Sequence, residues 1–324
     1  VDQLERYRGS LVGLAVGDAL GAPAEFRLPG TFARIETMQG GGMFGLAPGQ
    51  WTDDTSMALC LADSLISCRD FNTVDQLQRY VRWYREGYLS CTGECFDIGM
   101  NVQAALLRFE ATGEPHCGST DPMSAGNGCL MRLAPVPLAY ANDPERAMTL
   151  SAESARTTHG TLEAVDACRY LAALILGALR GATKDELLSP HYSPTPGYWE
   201  ANPLAPAVAD VAGGSFKRKA PPLIQGSGYA VRSIEAALWA FAKTSDFRQG
   251  AIAAINLGDD ADTTGAIFGQ LAGAYYGLRG IPQDWRLTLA QREMITRLAD
   301  GLHALSLAPA MAPTRMDGTD AESA

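Results

Sequence analysis

Residues 263–277, TTGAIFGQLAGAYYG, are apolar almost all the way round at helical spacing. A helix with no polar face must be enclosed by other elements. It is too short to cross a bilayer, which takes about 20 apolar residues, and no run in the chain is that long. The chain must therefore wrap a buried helix. Further helices to wrap it are legible. LVGLAVGDALGA (11–22) sets Leu11, Leu14 and Ala15 on one side and Gly13 and Gly17 four apart. Glycine costs helix stability, so the pair points to close approach of another helix. DTSMALCLADSLIS (54–67) repeats Met57, Leu61 and Leu65, with Ala58 and Ala62, at helical spacing. Amphipathic stretches follow at 73–86, 99–111, 144–156, 161–180, 229–243 and 246–256, with a last helix at about 283–305. No series of alternating strands occurs. The expected fold class is all-α, one compact multi-helix domain over residues 1–307.

Seven prolines between 190 and 222 exclude a continuous helix there. This Pro-rich segment is expected to be a long loop or lid within the same domain. The tail, 308–324, reads as disordered. The net charge of −10 and thinly spread Lys and Arg exclude a basic track along a phosphate backbone, so no nucleic acid is expected. Seven cysteines, an odd number partly inside apolar helical runs, fit free thiols in a reducing cytoplasm. The charged N-terminal stretch VDQLERYRGSL does not read as a signal peptide, and no membrane span is expected. Oligomeric state is left open.

Two segments about 200 residues apart share one design: WTDDTSMAL (51–59) and DDADTTGAI (259–267). In each, Asp and Thr cluster just before a long apolar helix rich in small residues. Asp and Thr are preferred N-caps, and acids in a first turn favour the helix dipole. A cap, however, needs one side-chain oxygen. Here stand four carboxylates, Asp53, Asp54, Asp260 and Asp262, with the hydroxyls of Thr52, Thr55, Thr263 and Thr264. If the two helix starts meet, four negative charges match two divalent cations, and oxygen-only donors favour Mg²⁺ or Mn²⁺.

GLAVGDALGAPAEF (13–26), WTDDTSMAL (51–59), FDIGMNV (96–102), AGNGCLMRLAP (125–135), TTHG (157–160) and GDDADTTGAIFGQLAGAYYG (258–277) occur in that order. This series resembles the ADP-ribosylglycohydrolase family, which includes the dinitrogenase reductase-activating glycohydrolases and the ADP-ribosyl-acceptor hydrolases. The resemblance spans residues from about 5 to 280. It implies an all-α fold, two Mg²⁺ or Mn²⁺ ions, and hydrolysis of the bond between C1″ of ADP-ribose and an acceptor, often an arginine guanidinium. The substrate would be an ADP-ribosylated protein or a small ADP-ribosyl compound.

By position, the resemblance implies metal ligands at Thr52, Asp53, Asp54, Asp260, Asp262 and Thr263. Asp259 stands where many relatives have Gly and lies outside that set; Thr55 and Thr264 are expected to be caps. Glu25 would be a mobile acid near the metals that orients water or gates entry. Asp97 would act as acid or base, or stabilise the released guanidinium; Met100 then intervenes before Asn101, where relatives follow Gly directly with Asn. Gly126, Asn127 and Gly128, just before an expected helix, would offer backbone N–H groups to the diphosphate, or form an ordinary turn. MQGGGMFG (38–45) would be a flexible loop over the substrate, or simply a surface loop. His159 would lie near the ribose or the metal shell, or be structural, with Gly160 where relatives often carry Asn. Tyr229, in IQGSGYAV (224–231), would stack on adenine or belong to the core. Two rivals remain at this level: a non-catalytic ADP-ribose-binding or structural relative, and a two-metal phosphoesterase.

Overall fold

The apolar helix is enclosed, and glycine decides how. The computed structural model of the protein describes residues 1–308; the expectation for the tail beyond Ala308 falls outside them. Within the described residues are sixteen α-helices and no sheet, the all-α architecture expected. In chain order they are α1 (Gln3–Gly21), α2 (Asp53–Cys68), α3 (Thr73–Glu86), α4 (Met100–Thr112), α5 (Pro135–Ala139), α6 (Pro144–Arg156), α7 (Leu162–Leu179), α8 (Lys184–Leu187), α9 (Tyr198–Ala201), α10 (Pro206–Ala212), α11 (Ser215–Arg218), α12 (Ala230–Lys243), α13 (Phe247–Ile255), α14 (Ala261–Tyr276), α15 (Gln283–Thr288) and α16 (Arg292–Leu307).

In α14 every residue from Ala261 to Ala274 is buried. Helices α1, α7, α12 and α13 pack around it, and α2 and α16 pack on each other beside them. The tightest contact is between α1 and α14, which run antiparallel. Gly9, Gly13 and Gly17 face Gly273, Gly269 and Gly265 in turn. A Cβ at Gly13 would stand 2.4 Å from the Gly269 carbonyl oxygen, and one at Gly17 would stand 2.0 Å from that of Gly265. Glycine alone allows two helix backbones this close. The same seam ends at Gly21, where a Cβ would meet Asp262 Cα at 2.4 Å. The start of α14 is thereby pinned to the end of α1, four residues before Glu25.

Two expectations are corrected. The helix expected at about 283–305 is two, α15 and α16, broken at Leu289–Gln291. Ala290 N–H donates to Gly49 O (2.9 Å), Trp51 Nε1 donates to Ala290 O (3.3 Å), and Gln291 takes a left-handed φ of +50°. Distant backbone claims the break; local periodicity does not reveal it. The Pro-rich segment is not a free lid. It holds α9, α10 and α11, with a proline at the start of α10 where its missing N–H costs nothing. Tyr198, Trp199, Val208, Val211 and Phe216 join the main core, and Asp166 Oδ2 of α7 accepts from Ala205 N–H at 2.7 Å. Helix α1 also starts earlier than its apolar run, at Gln3, where Asp2 accepts from Glu5 N–H at 2.8 Å. No described helix is long and apolar enough to cross a membrane, and all seven cysteines are free thiols.

Candidate active site

The two acidic helix starts meet. Thr52 Oγ1, at the head of α2, lies 3.1 Å from Asp262 Oδ2, at the head of α14, and 3.3 Å from Asp54 Oδ2. Thr52, Asp53, Asp54, Asp262 and Thr263 are all buried. Carboxylate oxygens of Glu25, Asp97 and Asp262 lie within 4.8 Å of one another. Glu25 is brought there by a reciprocal backbone pair: Phe26 N–H donates to Asp259 O and Asp259 N–H to Arg27 O, each at 2.7 Å. Asp259 sits at φ +58° with an exposed side chain, so its backbone rather than its carboxylate serves the site. That conformation is one glycine takes without penalty. Asp97 also has a left-handed φ, +60°, in the loop before α4. Asp97 and Asp260 are only half-buried, so the cluster opens on their side.

Capping does not explain the acids. Neither Thr52 nor Asp260, the residues at the two N-cap positions, bonds its side chain to the amides of its own helix. The head of α2 is capped from across the core by Asp18 of α1. Asp18 Oδ1 accepts from Thr52 N–H (2.9 Å) and Oγ1 (3.0 Å); Oδ2 accepts from Thr55 N–H (3.0 Å) and Oγ1 (2.6 Å). Asp18 is fully buried, and sequence reasoning assigned it no role. The signal was present as a lone carboxylate inside an apolar helix, which burial makes costly unless it is fully bonded. The expectation for Thr55 and Thr264 is corrected accordingly. Thr55 donates to Asp18, and Thr264 Oγ1 donates back to Asp260 O at 2.8 Å. Asp260 Oδ2 is itself held by Asn127 Nδ2 at 2.7 Å.

Burial and mutual repulsion raise the affinity of these acids for protons. Glu25 is pushed well up by burial, then by Asp262 and Asp97; Asp54 and Asp262 are raised by burial, then by Asp262 and Asp260 respectively. Asp53 is raised by burial and then by Asp97. Burial lifts Asp18 to about 6 against its four hydrogen bonds, and Asp97 to about 7 against a bond to Glu25. Four buried carboxylate oxygens have no protein partner: Glu25 Oε2, Asp54 Oδ1, Asp97 Oδ2 and Asp262 Oδ1. A hard divalent cation fits this all-oxygen donor set and would relieve both the repulsion and the missing partners.

A pH-dependent outcome follows. Acids whose folded pKa is raised favour the native state below their unfolded pKa, near 3.8 for Asp, and lose that contribution as pH climbs through about 6 and 7. The gap in Tm between Mn²⁺-loaded and chelated protein should therefore widen from pH 4.5 to 7.5. A gap that stays constant across that range would count against a cation-bound cluster.

The remaining expected residues gather beside Asp260. Gly126 N–H donates to Ser124 O (2.7 Å) and Asn127 N–H to Gly228 O (3.1 Å), so two of the three amides are already engaged. Residues 128–132 form turns, and α5 begins only at Pro135, so the expected helix N-terminus is not there. The glycines also make room for His159. A Cβ at Gly128 would stand 2.9 Å from His159 Cε1, and one at Gly126 would stand 3.2 Å from Nε2. His159 is buried with Nδ1 2.9 Å from Thr158 Oγ1. Burial, aided by Arg132, pushes its pKa down to about 3, so the imidazole is neutral. Tyr229 is half-buried, pairs its backbone with Gly126, and donates its hydroxyl to Glu163 Oε2 at 2.7 Å. The Gly-rich loop folds back through Gly41 and Leu46 and rests Phe44 on Phe96, ring centres 5.3 Å apart, next to Asp97.

Known proteins of similar sequence and fold agree in kind. The chain is 39% identical over 301 residues to ADP-ribosylarginine hydrolase Tri1 of Serratia proteamaculans, covering 93% of this chain and 80% of that protein. It is 42% identical over 299 residues to the protein of the same name from Pseudomonas putida, covering 92% and 78%. ADP-ribosyl-[dinitrogen reductase] glycohydrolase of Rhodospirillum rubrum is 32% identical over 311 residues, with 93% and 97% covered. A solved structure titled ADP-ribosylglycohydrolase-related protein complex superposes with a TM-score of 0.83 at 47% identity, over 94% of this chain and 99% of that one. The family model described as ADP-ribosylglycohydrolase matches residues 1–310. With the family's sequence carried end to end on an all-α fold that draws its acids together, the chain belongs to the ADP-ribosylglycohydrolase family.

Proposed function

We propose that this chain is a divalent-metal-dependent hydrolase that cleaves the bond between C1″ of ADP-ribose and a protein arginine side chain, reversing mono-ADP-ribosylation. The observation that carries this reading is the set of four unpartnered, buried carboxylate oxygens from Glu25, Asp54, Asp97 and Asp262. Arginine as acceptor is supported by the relatives named ADP-ribosylarginine hydrolases, 39% and 42% identical. Thr52, Asp53, Asp54, Asp260, Asp262 and Thr263 would hold two cations, Mg²⁺ or Mn²⁺. When bound, the cations supply Lewis acidity toward sugar hydroxyls and water.

The protein's own groups supply the rest. Asn127 fixes Asp260, and Thr52 Oγ1 stands within 3.3 Å of both Asp54 and Asp262, so the ligand oxygens are held before substrate arrives. Glu25 orients the attacking water. Asp97 Oδ2 accepts a proton from that water as its oxygen bonds to C1″. The C1″–nitrogen bond breaks, and Asp97 returns the proton to the departing guanidine. Tyr229 and the turn at Gly126–Gly128 border the diphosphate and adenine, whose remote binding positions the bond. Incubation with Mn²⁺ and a peptide ADP-ribosylated on arginine tests this. Free ADP-ribose and unmodified arginine are expected, and chelator should stop their release. AMP among the products would instead identify a phosphoesterase, and binding without product a non-catalytic relative.

A further inference from the structure

We propose that an apolar rim around the acidic cluster docks the folded protein that carries the ADP-ribosyl group, so that the rim selects among modified proteins while the sugar site does not. The proposal rests on the hydrolase reading above. Thirteen large hydrophobic side chains are exposed among the described residues, and six of them lie on segments tied to the cluster: Phe26, Leu28, Met43, Phe44, Met100 and Met123. Single exposed hydrophobics are ordinary, but a concentration at one site marks an interface.

The ties are short. Phe26 follows Glu25 and bonds Asp259 O through its N–H at 2.7 Å. Phe44 packs on Phe96, the neighbour of Asp97. Met100 opens α4 three residues after Asp97. Asn101 Nδ2 then donates to Ser124 O at 3.1 Å, which sets Met123 alongside. Leu28, Met43, Met100 and Met123 are between 71% and 93% exposed. Four separate stretches thus hold apolar side chains in water on segments tied by backbone or packing to one charged site.

The occupant follows from the reaction. The cluster opens on the side of Asp97 and Asp260, so whatever is attached to C1″ must emerge there. The riboses and diphosphate of ADP-ribose are polar and offer nothing to Leu28 or the methionines, and its one apolar face, adenine, is assigned above to the Tyr229 side. A free arginine leaving group is too small to reach four stretches. A protein surface beside a modified arginine meets both requirements. Three of the six residues are methionine, whose flexible thioether adapts to differing surfaces, so more than one protein target is expected.

The test uses the triple variant Leu28→Ser, Met100→Ser, Met123→Ser and two substrates with the same linkage. One is free ADP-ribosylarginine; the other is a folded protein mono-ADP-ribosylated on a surface arginine. For the protein substrate, kcat/KM should fall about tenfold or more, as loss of several apolar contacts implies. For the small substrate it should change less than about twofold, with Tm and light-scattering mass unchanged. Equal falls on both substrates, no fall on either, or a change in mass that identifies the rim as a contact between two copies overturns the proposal. If the parent turns over neither substrate, the hydrolase reading fails separately. The rim is then read by affinity for the modified protein, and equal affinity of parent and variant overturns it.

Discussion

Asp262→Asn is expected to lower kcat/KM by more than about a hundredfold while making the chelated protein more stable. The two effects have one cause. Asp262 Oδ2 lies 3.1 Å from Thr52 Oγ1, a contact an amide oxygen keeps, and Oδ1 is buried without a partner. After burial itself, Asp262 is the largest influence raising both Glu25 and Asp54. Removing its charge relieves that repulsion without opening a cavity. The chelated variant should therefore melt at a higher temperature than the chelated parent. The same change removes a cation ligand, so the rise in Tm on adding Mn²⁺ should shrink or vanish. Thermal melts with and without Mn²⁺, calorimetric titration of Mn²⁺ and hydrolysis assays read the three quantities. If the aspartate only favoured the helix dipole, its loss would lower stability equally in both conditions and leave turnover intact. That pattern would end the metal reading.

How far the sequence discloses this site depends on how far apart the partners are. Residues 73–86 and 144–156 form helices with the expected bounds because their start signals are local: Asn72 caps Val74 and Asp75, and Asp143 caps Arg146 ahead of Pro144. The two acidic clusters are legible because each has more oxygen than a cap can use. Asp18 was not, because its partners Thr52 and Thr55 lie 34 and 37 residues away. Gly126–Gly128 stayed ambiguous for the opposite reason. A Gly-Asn-Gly turn reads alike whether it cradles an anion or makes room for a ring, and only the position of His159 separates the two. The break at Leu289–Gln291 likewise answers to Gly49 and Ser90, which no window of local sequence contains.

Gly269→Ala should destabilise the protein by more than about 3 kcal/mol, a large part of the roughly 5–15 kcal/mol that holds a domain together. The added carbon would stand 1.9 Å from the Gly13 carbonyl oxygen. Both sides of the contact are helix backbone, so no side chain can turn aside and the helices must separate. Separation strips packing from α14, which is buried along Ala261–Ala274. It also moves the head of α14 away from α1, and with it Asp262 from Asp18 and Glu25. Gly17→Ala, 2.0 Å from Gly265 O and next to Asp18, tests that second consequence. Its Mn²⁺ affinity and turnover should fall even where low temperature keeps it folded. Gly301→Ala is the control. Its new carbon meets the end of the Ile66 side chain at 2.7 Å, which can rotate, and alanine favours α16. It should stay within about 1 kcal/mol of the parent by urea unfolding. Equal stability of the Gly269 and Gly301 variants would mean that α1 and α14 have slack between them, and that something other than the glycine seam sets where the acids meet.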